Sequence, residues 1–196
     1  MWMQTITGKK FELNKQETWH SSFDTYDIAH ALSNLCRFNG HSRRFYSVAE
    51  HVVLGAKALL KCSISVEAAY RFLHHDDTEA YIGDVTRPLK KMLPDYVSLE
   101  RRLNLNLAIH HKFFRHYDIY AGTVKEVDEA MLWFEKDAVM TSPPEDWGLV
   151  RMPRWLKEQG FNPRIWRIGR PSWYWRSEYL RLHEELSSLR DLGYRN

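Results

Sequence analysis

One stretch near the middle of the chain breaks the rule by which helices bury their apolar sides. Ser65 can cap a helix whose pattern continues to about Tyr81, where Gly83 supplies the stop. Within it Phe72, His75, Asp76 and Glu79 fall at i, i+3, i+4 and i+7, and so share a face with Ala68 and Ala69. That face should turn to the core, yet it carries an imidazole and two carboxylates. Such groups are costly to bury unless something pairs with them. A divalent cation would pair with all three.

Two further helices repeat the anomaly. Ser47-Val48-Ala49-Glu50 reads as a capping box, opening a helix with Val48, Val52, Ala56, Leu59 and Leu60 on its apolar side and His51 among them. Thr123-Val124-Lys125-Glu126 reads as a second box, followed by Val124, Val127, Met131, Phe134 and Ala138, with Asp128 on the same stretch. Three helices thus offer two imidazoles and two carboxylates. A mixed nitrogen and oxygen set suits zinc, cobalt, manganese or iron better than a calcium cage. Any one of these residues alone would be read as part of a buried polar network; together they favour a metal. His74 lies about 100° round the helix from His75 and reads as a neighbour rather than a ligand. His110 and His111 read as end-of-helix residues, where imidazole is favourable, ahead of ligands for a second metal.

The remaining segments point to a single all-α domain over residues 1–196, a helical bundle with an irregular Pro/Trp-rich C-terminal segment. Residues 3–14 alternate weakly around Gly8 and predict a short hairpin. Asp24 can cap a helix over Asp27–Leu35, and Asp95 to about His111 predicts another. Five of the seven prolines fall between Pro143 and Pro171, alongside Trp147, Trp155 and Trp166; this predicts a long irregular connection with a short helix near Arg154–Gln159. A last helix spans Trp173 to Leu189. Hydrophobic residues at 44% and charged residues at 27% exclude a disordered chain.

No apolar run is long enough for a membrane helix, and the first residues lack a secretory pattern. With two cysteines, Cys36 and Cys62, and no disulfide framework, the expectation is a cytoplasmic protein, in a bacterium or in the host cytoplasm if phage-encoded. A net charge of +3 is too mild to mark a nucleic-acid binder, and no nucleic-acid or membrane partner is expected. Arg151, Arg154, Lys157, Arg164, Arg167, Arg170, Arg176 and Arg181 face only Glu158 and Glu178 in that stretch. It reads as an amphipathic cover that packs tryptophan inward, ahead of a single-strand-binding surface.

The order and spacing of His51, His75-Asp76 and Asp128 resemble the H…HD…D signature of the HD-domain metal-dependent phosphohydrolases. The surrounding words sharpen the likeness: Arg37-Phe38-Asn39-Gly40-His41, Tyr46 to His51, Glu79-Ala80-Tyr81-Ile82-Gly83-Asp84, and Arg87-Pro88-Leu89-Lys90. They look like the branch containing bacterial 5'-deoxynucleotidases and phage dATP triphosphohydrolases, over about residues 3 to 140. The resemblance implies that His51, His75, Asp76 and Asp128 hold a divalent ion, Co2+, Zn2+, Mn2+ or Mg2+. It implies that Glu79 positions or deprotonates the attacking water, with Asp84 helping to order it. Arg37 would grip a phosphate, Lys90 a longer phosphate chain, and Phe38 and Pro88 would pack on sugar and base. Phe38 stands where some relatives carry tryptophan, which bears on how strictly ribose is refused. The expected function is phosphate release from a deoxyadenosine nucleotide by a homo-oligomer. The rivals are phosphodiester cleavage or oxygenation at a dinuclear centre, and a nucleotide- or nucleic-acid-binding protein with a vestigial site.

Overall fold

In the computed structural model, which describes residues 2–113, 119–149, 152–163 and 169–193, helices supply nearly all the regular structure. The expected hairpin is present as β1 (Met3–Gln4) paired antiparallel with β2 (Lys10–Phe11). It delivers Phe11 to the core, where the ring stacks on Tyr81 at 4.2 Å. A short helix that the sequence pattern does not announce, α1 (Gln16–Ser22), follows. It lacks a side-chain cap and is fixed through the buried Trp19, whose indole donates to the Glu12 carbonyl at 2.9 Å.

Next comes α2 (Thr25–Asn34), with Asp24 accepting from the Tyr26 and Asp27 amides as expected of a cap. The connection onward closes as a narrow loop: the Arg37 amide donates to Tyr46 O at 2.9 Å and the Val48 amide to Leu35 O at 3.0 Å. A tight turn at Arg37–Gly40 sits at its tip, with Phe38 (φ 58°) and Asn39 (φ 51°) both left-handed. That conformation is ordinary for asparagine and unusual for phenylalanine. It holds Arg37 and Phe38 side by side.

The central element is α3 (Val48–Lys61), buried along most of its length. Ser47 caps it by accepting from the Glu50 amide, but only half of the expected box forms. The Glu50 carboxylate turns instead to the Gly169 amide, 2.8 Å away, and so ties down the chain just before the last helix. Against α3 lies α4 (Val66–Leu73), capped by Ser65. Their contact is close because position 55 is glycine; a Cβ there would stand 2.1 Å from Phe72 Cε1.

The expected helix from Ser65 to Tyr81 is not continuous. It stops at Leu73, turns through residues 74–78, and resumes as the short α5 (Glu79–Ile82). Local chemistry explains the break. The His75 imidazole lies 2.7 Å from the Phe72 carbonyl through Nδ1, taking an acceptor that a continued helix would offer to the Asp76 amide. His74 and Asp77 bond to each other across the turn. Adjacent residues are thereby sent to opposite sides, His75 and Asp76 one way, His74 and Asp77 the other.

Beyond α6 (Arg87–Lys90) and α7 (Pro94–His110) runs α8 (Ala121–Val139). The expected capping box at Thr123 does not form, because α8 starts two residues earlier and Thr123 lies inside its first turn. The short helix expected near Arg154 is α9 (Arg154–Glu158), and the last is α10 (Ser172–Asp191), which packs on α2, α3 and α4 while α8 crosses α3 and α4. The core runs unbroken from Phe11 to Leu186, and the fold is all-α. Cys36 and Cys62 are free thiols. Among the described residues no helix is long and apolar enough to cross a membrane. Of the basic, tryptophan-rich stretch, Arg151, Arg164, Trp166 and Arg167 lie outside the described residues. Trp175 is buried, Trp155 donates to Glu126, and Trp173 is exposed.

Candidate metal centre and adjoining cavity

The four residues singled out for metal binding converge, from α3, the 74–78 turn and α8. His51 Nε2 stands 3.4 Å from Asp128 Oδ1 and 3.8 Å from Asp76 Oδ2. His75 Nε2 stands 3.2 Å from Asp76 Oδ1 and 4.0 Å from Asp128 Oδ1. Both Nε2 atoms are buried without a hydrogen-bond partner. The reason is visible on the far edge of each ring. His51 Nδ1 is 2.5 Å from Glu135 Oε1, and His75 Nδ1 is taken by the Phe72 carbonyl. Each imidazole is thereby set with its second nitrogen directed at the carboxylates, the arrangement by which a protein orients histidine toward a metal. Two inward nitrogens and two carboxylates within a few ångströms fit a divalent transition-metal ion.

Glu135 is the residue that the sequence reading missed. It is buried, and besides His51 it accepts from the Tyr46 hydroxyl at 3.0 Å and from Arg37 Nη2 at 3.1 Å. The available signal was its place two turns after Asp128 and one turn after Met131 on α8, an acid on the face those two residues share.

The electrostatics describe a centre short of positive charge. Burial and Arg37 oppose protonation of His51, but Glu135 and Asp128 outweigh them and lift its pKa to about 9. Burial disfavours ionised Asp128, yet His51 and His75 more than compensate and hold it well below the ordinary carboxylate range. Glu79 is different. Burial, then Asp76 and Asp84, push its carboxyl well above the usual value, and its Oε2 is buried without a partner. Asp84 is raised by burial and Asp76 against the pull of Arg37.

Above the centre opens a cavity of about 620 Å³. Asp76, Glu79, Asp84 and Asp128 lie in its wall, as do all four residues expected to touch substrate, Arg37, Phe38, Pro88 and Lys90. Arg37 is mostly buried and leans on Glu135 and, at 3.5 Å, Asp76. Lys90 is paired with Glu100 at 2.6 Å. Arg87, part of the Arg87-Pro88-Leu89-Lys90 word but assigned no role there, also lines the cavity and donates to Asp128 Oδ2 at 3.1 Å. The irregular segment after Met140, given no role from sequence, returns Trp147 to the same wall, 6.2 Å from the Phe38 ring.

These features define an all-α protein with a candidate metal centre beneath a basic-rimmed cavity. No protein-family model matches the chain. It is 36% identical over 137 residues to the uncharacterized protein YfdR of Escherichia coli (strain K12), covering 68% of this chain and 70% of that protein. The chain belongs to the family of YfdR. It is also 30% identical over 117 residues to the uncharacterized protein RCAP_rcc00048 of Rhodobacter capsulatus, spanning 57% of this chain and 58% of that relative.

Proposed function

We propose that the protein is a metal-dependent phosphohydrolase of the HD type, acting on a small deoxyribonucleotide, with adenine the foremost base. The observation that carries this reading is the convergence of two partnerless histidine nitrogens with Asp76 and Asp128 at the floor of a cavity lined by Glu79, Arg37 and Lys90. The sugar and base preference rests on the resemblance of the surrounding sequence words.

Bound by His51, His75, Asp76 and Asp128, a divalent cation would supply Lewis acidity toward a phosphoryl oxygen and make water a better nucleophile at neutral pH. The chain's own residues do the rest. Glu79, buried beside Asp76 and held toward its protonated form, is placed to take the proton of the attacking water once nearby positive charge restores its ionised state. Arg37 offers a planar fork to phosphoryl oxygens, which would replace the Asp76 and Glu135 carboxylates it now leans on. Arg87, which reaches Asp128, and Lys90 line the same wall and are available to additional phosphates. Phe38 and Trp147 supply ring faces, and Pro88 an apolar surface, for sugar and base.

The test is a screen for phosphate, pyrophosphate or tripolyphosphate release from ribo- and deoxynucleoside mono-, di- and triphosphates with Co2+, Mn2+, Zn2+ and Mg2+. The expected result is turnover of deoxynucleotides, with deoxyadenosine forms foremost, that Asp128→Ala abolishes. No turnover of any nucleotide with any of these metals would overturn the reading.

A further inference from the structure

On the opposite side of the 74–78 turn from the candidate centre lies a second histidine cluster. His74 directly follows α4, His111 directly follows α7, and His183 sits in the middle of α10. One nitrogen from each lies within 4.8 Å of the other two. The rings of His74 and His111 stack at 3.9 Å, and His74 Nε2 is 2.9 Å from His183 Nδ1. Asp77 organises them from behind. Its Oδ2 is 2.8 Å from both His74 Nδ1 and His111 Nε2, and its Oδ1 accepts from the Tyr179 hydroxyl. With one nitrogen of His74 and one of His111 engaged by a single carboxylate, the other nitrogen of His74 faces His183, and the His111 ring lies 6.0 Å from that of His183 between centroids.

Asp77 is fully buried, and among the described residues no lysine or arginine pairs with it. A buried carboxylate without a cation is costly. A metal ion held on the far nitrogens of the two imidazoles would supply that charge through the rings, the carboxylate–histidine–metal relay of many zinc sites. Zinc–nitrogen bonds of about 2.0–2.1 Å put neighbouring ligand nitrogens about 3.3 Å apart in a tetrahedron; the His74–His183 pair at 2.9 Å is close to that spacing, and the His111 nitrogen lies within 4.8 Å of both. A cavity of about 160 Å³ borders His111 and His183 and gives room for a solvent molecule in the fourth position.

We propose that His74, His111 and His183 form a second divalent-cation site, suited to Zn2+, that fastens α10 and the end of α7 to the turn bearing His75 and Asp76. This site is separate from the proposed catalytic centre and does not depend on what that centre does. The experiment counts metal. Protein stripped with chelator is reloaded with Zn2+ or Co2+, desalted, and assayed for bound metal per chain, with circular dichroism checking the fold. The expected result is two equivalents for the wild-type chain and one for His183→Asn or His111→Gln. A chain carrying both His51→Ala and Asp128→Ala should keep one, with an absorption-edge spectrum showing imidazole ligands. A single wild-type equivalent that His183→Asn removes and Asp128→Ala spares would uphold this site while removing the catalytic one. Unchanged metal content in His183→Asn and His111→Gln, or no metal in the His51→Ala, Asp128→Ala chain, would overturn the proposal.

Discussion

Glu79 and Asp76 are one turn apart in sequence, yet their surroundings give them different work. Asp76 faces both histidine nitrogens of the candidate centre, whereas Glu79 keeps an unpartnered oxygen beside it. Asp76→Ala is therefore expected to lose metal and activity together. Glu79→Ala should retain the metal and lose about 100-fold or more in kcat, the span of a lost general base. Metal content measured beside kcat separates the two, and a Glu79→Ala enzyme with near-normal kcat would move the proton-accepting role elsewhere. Glu135 acts through His51 instead. Glu135→Gln should weaken metal affinity by about 10- to 100-fold, read by competition with a chromogenic chelator; unaltered affinity would mean that the 2.5 Å contact does not orient the ring. Each of the four proposed ligands was legible in the sequence as a polar group on an apolar stripe. Glu135 was not, because a glutamate on a long, largely polar-faced helix looks like any solvated residue until its partners are seen.

At the level of elements, the sequence pattern located α2, α3, α7, α9 and α10 and the hairpin; capping residues and apolar periodicity agree at α2 and α3, whereas α7 and α10 lack a side-chain cap and were marked by apolar spacing alone. It misjudged the segment after Leu73. Apolar and polar residues kept a helical rhythm to Tyr81, but side chains of the turn captured the backbone and each other. Periodicity does not register such competition, and the same side chains meet by a turn instead of a helical face. The α3–α4 contact carries a further test. Gly55→Ala removes a helix-weakening glycine, a gain of about 1 kcal/mol, but drives a methyl into the Phe72 ring at 2.1 Å. Overpacking of that kind costs about 1–3 kcal/mol or more, so the clash should win and the Tm fall. Because the Phe72 ring lies 4.6 Å from His75 and 5.5 Å from His51, metal affinity should fall with it. A variant with raised Tm and unaltered metal binding would show that the ring yields freely.

Across the whole molecule, the cavity draws its wall from the α2–α3 loop, the 74–78 turn, α5, α6, α8 and the segment after Met140. Most of these parts could be named from sequence words; their meeting, and the arrival of Trp147, could not. Arg37 and Lys90 come from separate parts of that wall, so they report on phosphate chain length. A charge-assisted phosphate contact is worth about 1.5–3 kcal/mol, or about 10- to 150-fold in kcat/KM. For a triphosphate substrate Lys90→Ala should cut turnover of deoxynucleoside triphosphates strongly and of monophosphates little; for a monophosphate substrate Arg37→Ala should be the damaging change and Lys90→Ala nearly silent. Equal and slight effects of both on every nucleotide would mean that neither holds phosphate. The most direct measurement of the central claim is deoxyadenosine nucleotide turnover by wild-type and Asp128→Ala protein, freed of metal by chelation and then resupplied with Co2+, Mn2+ or Zn2+. The account predicts no turnover without metal, recovery in the wild type and none in Asp128→Ala; full turnover by protein shown to be metal-free would contradict it.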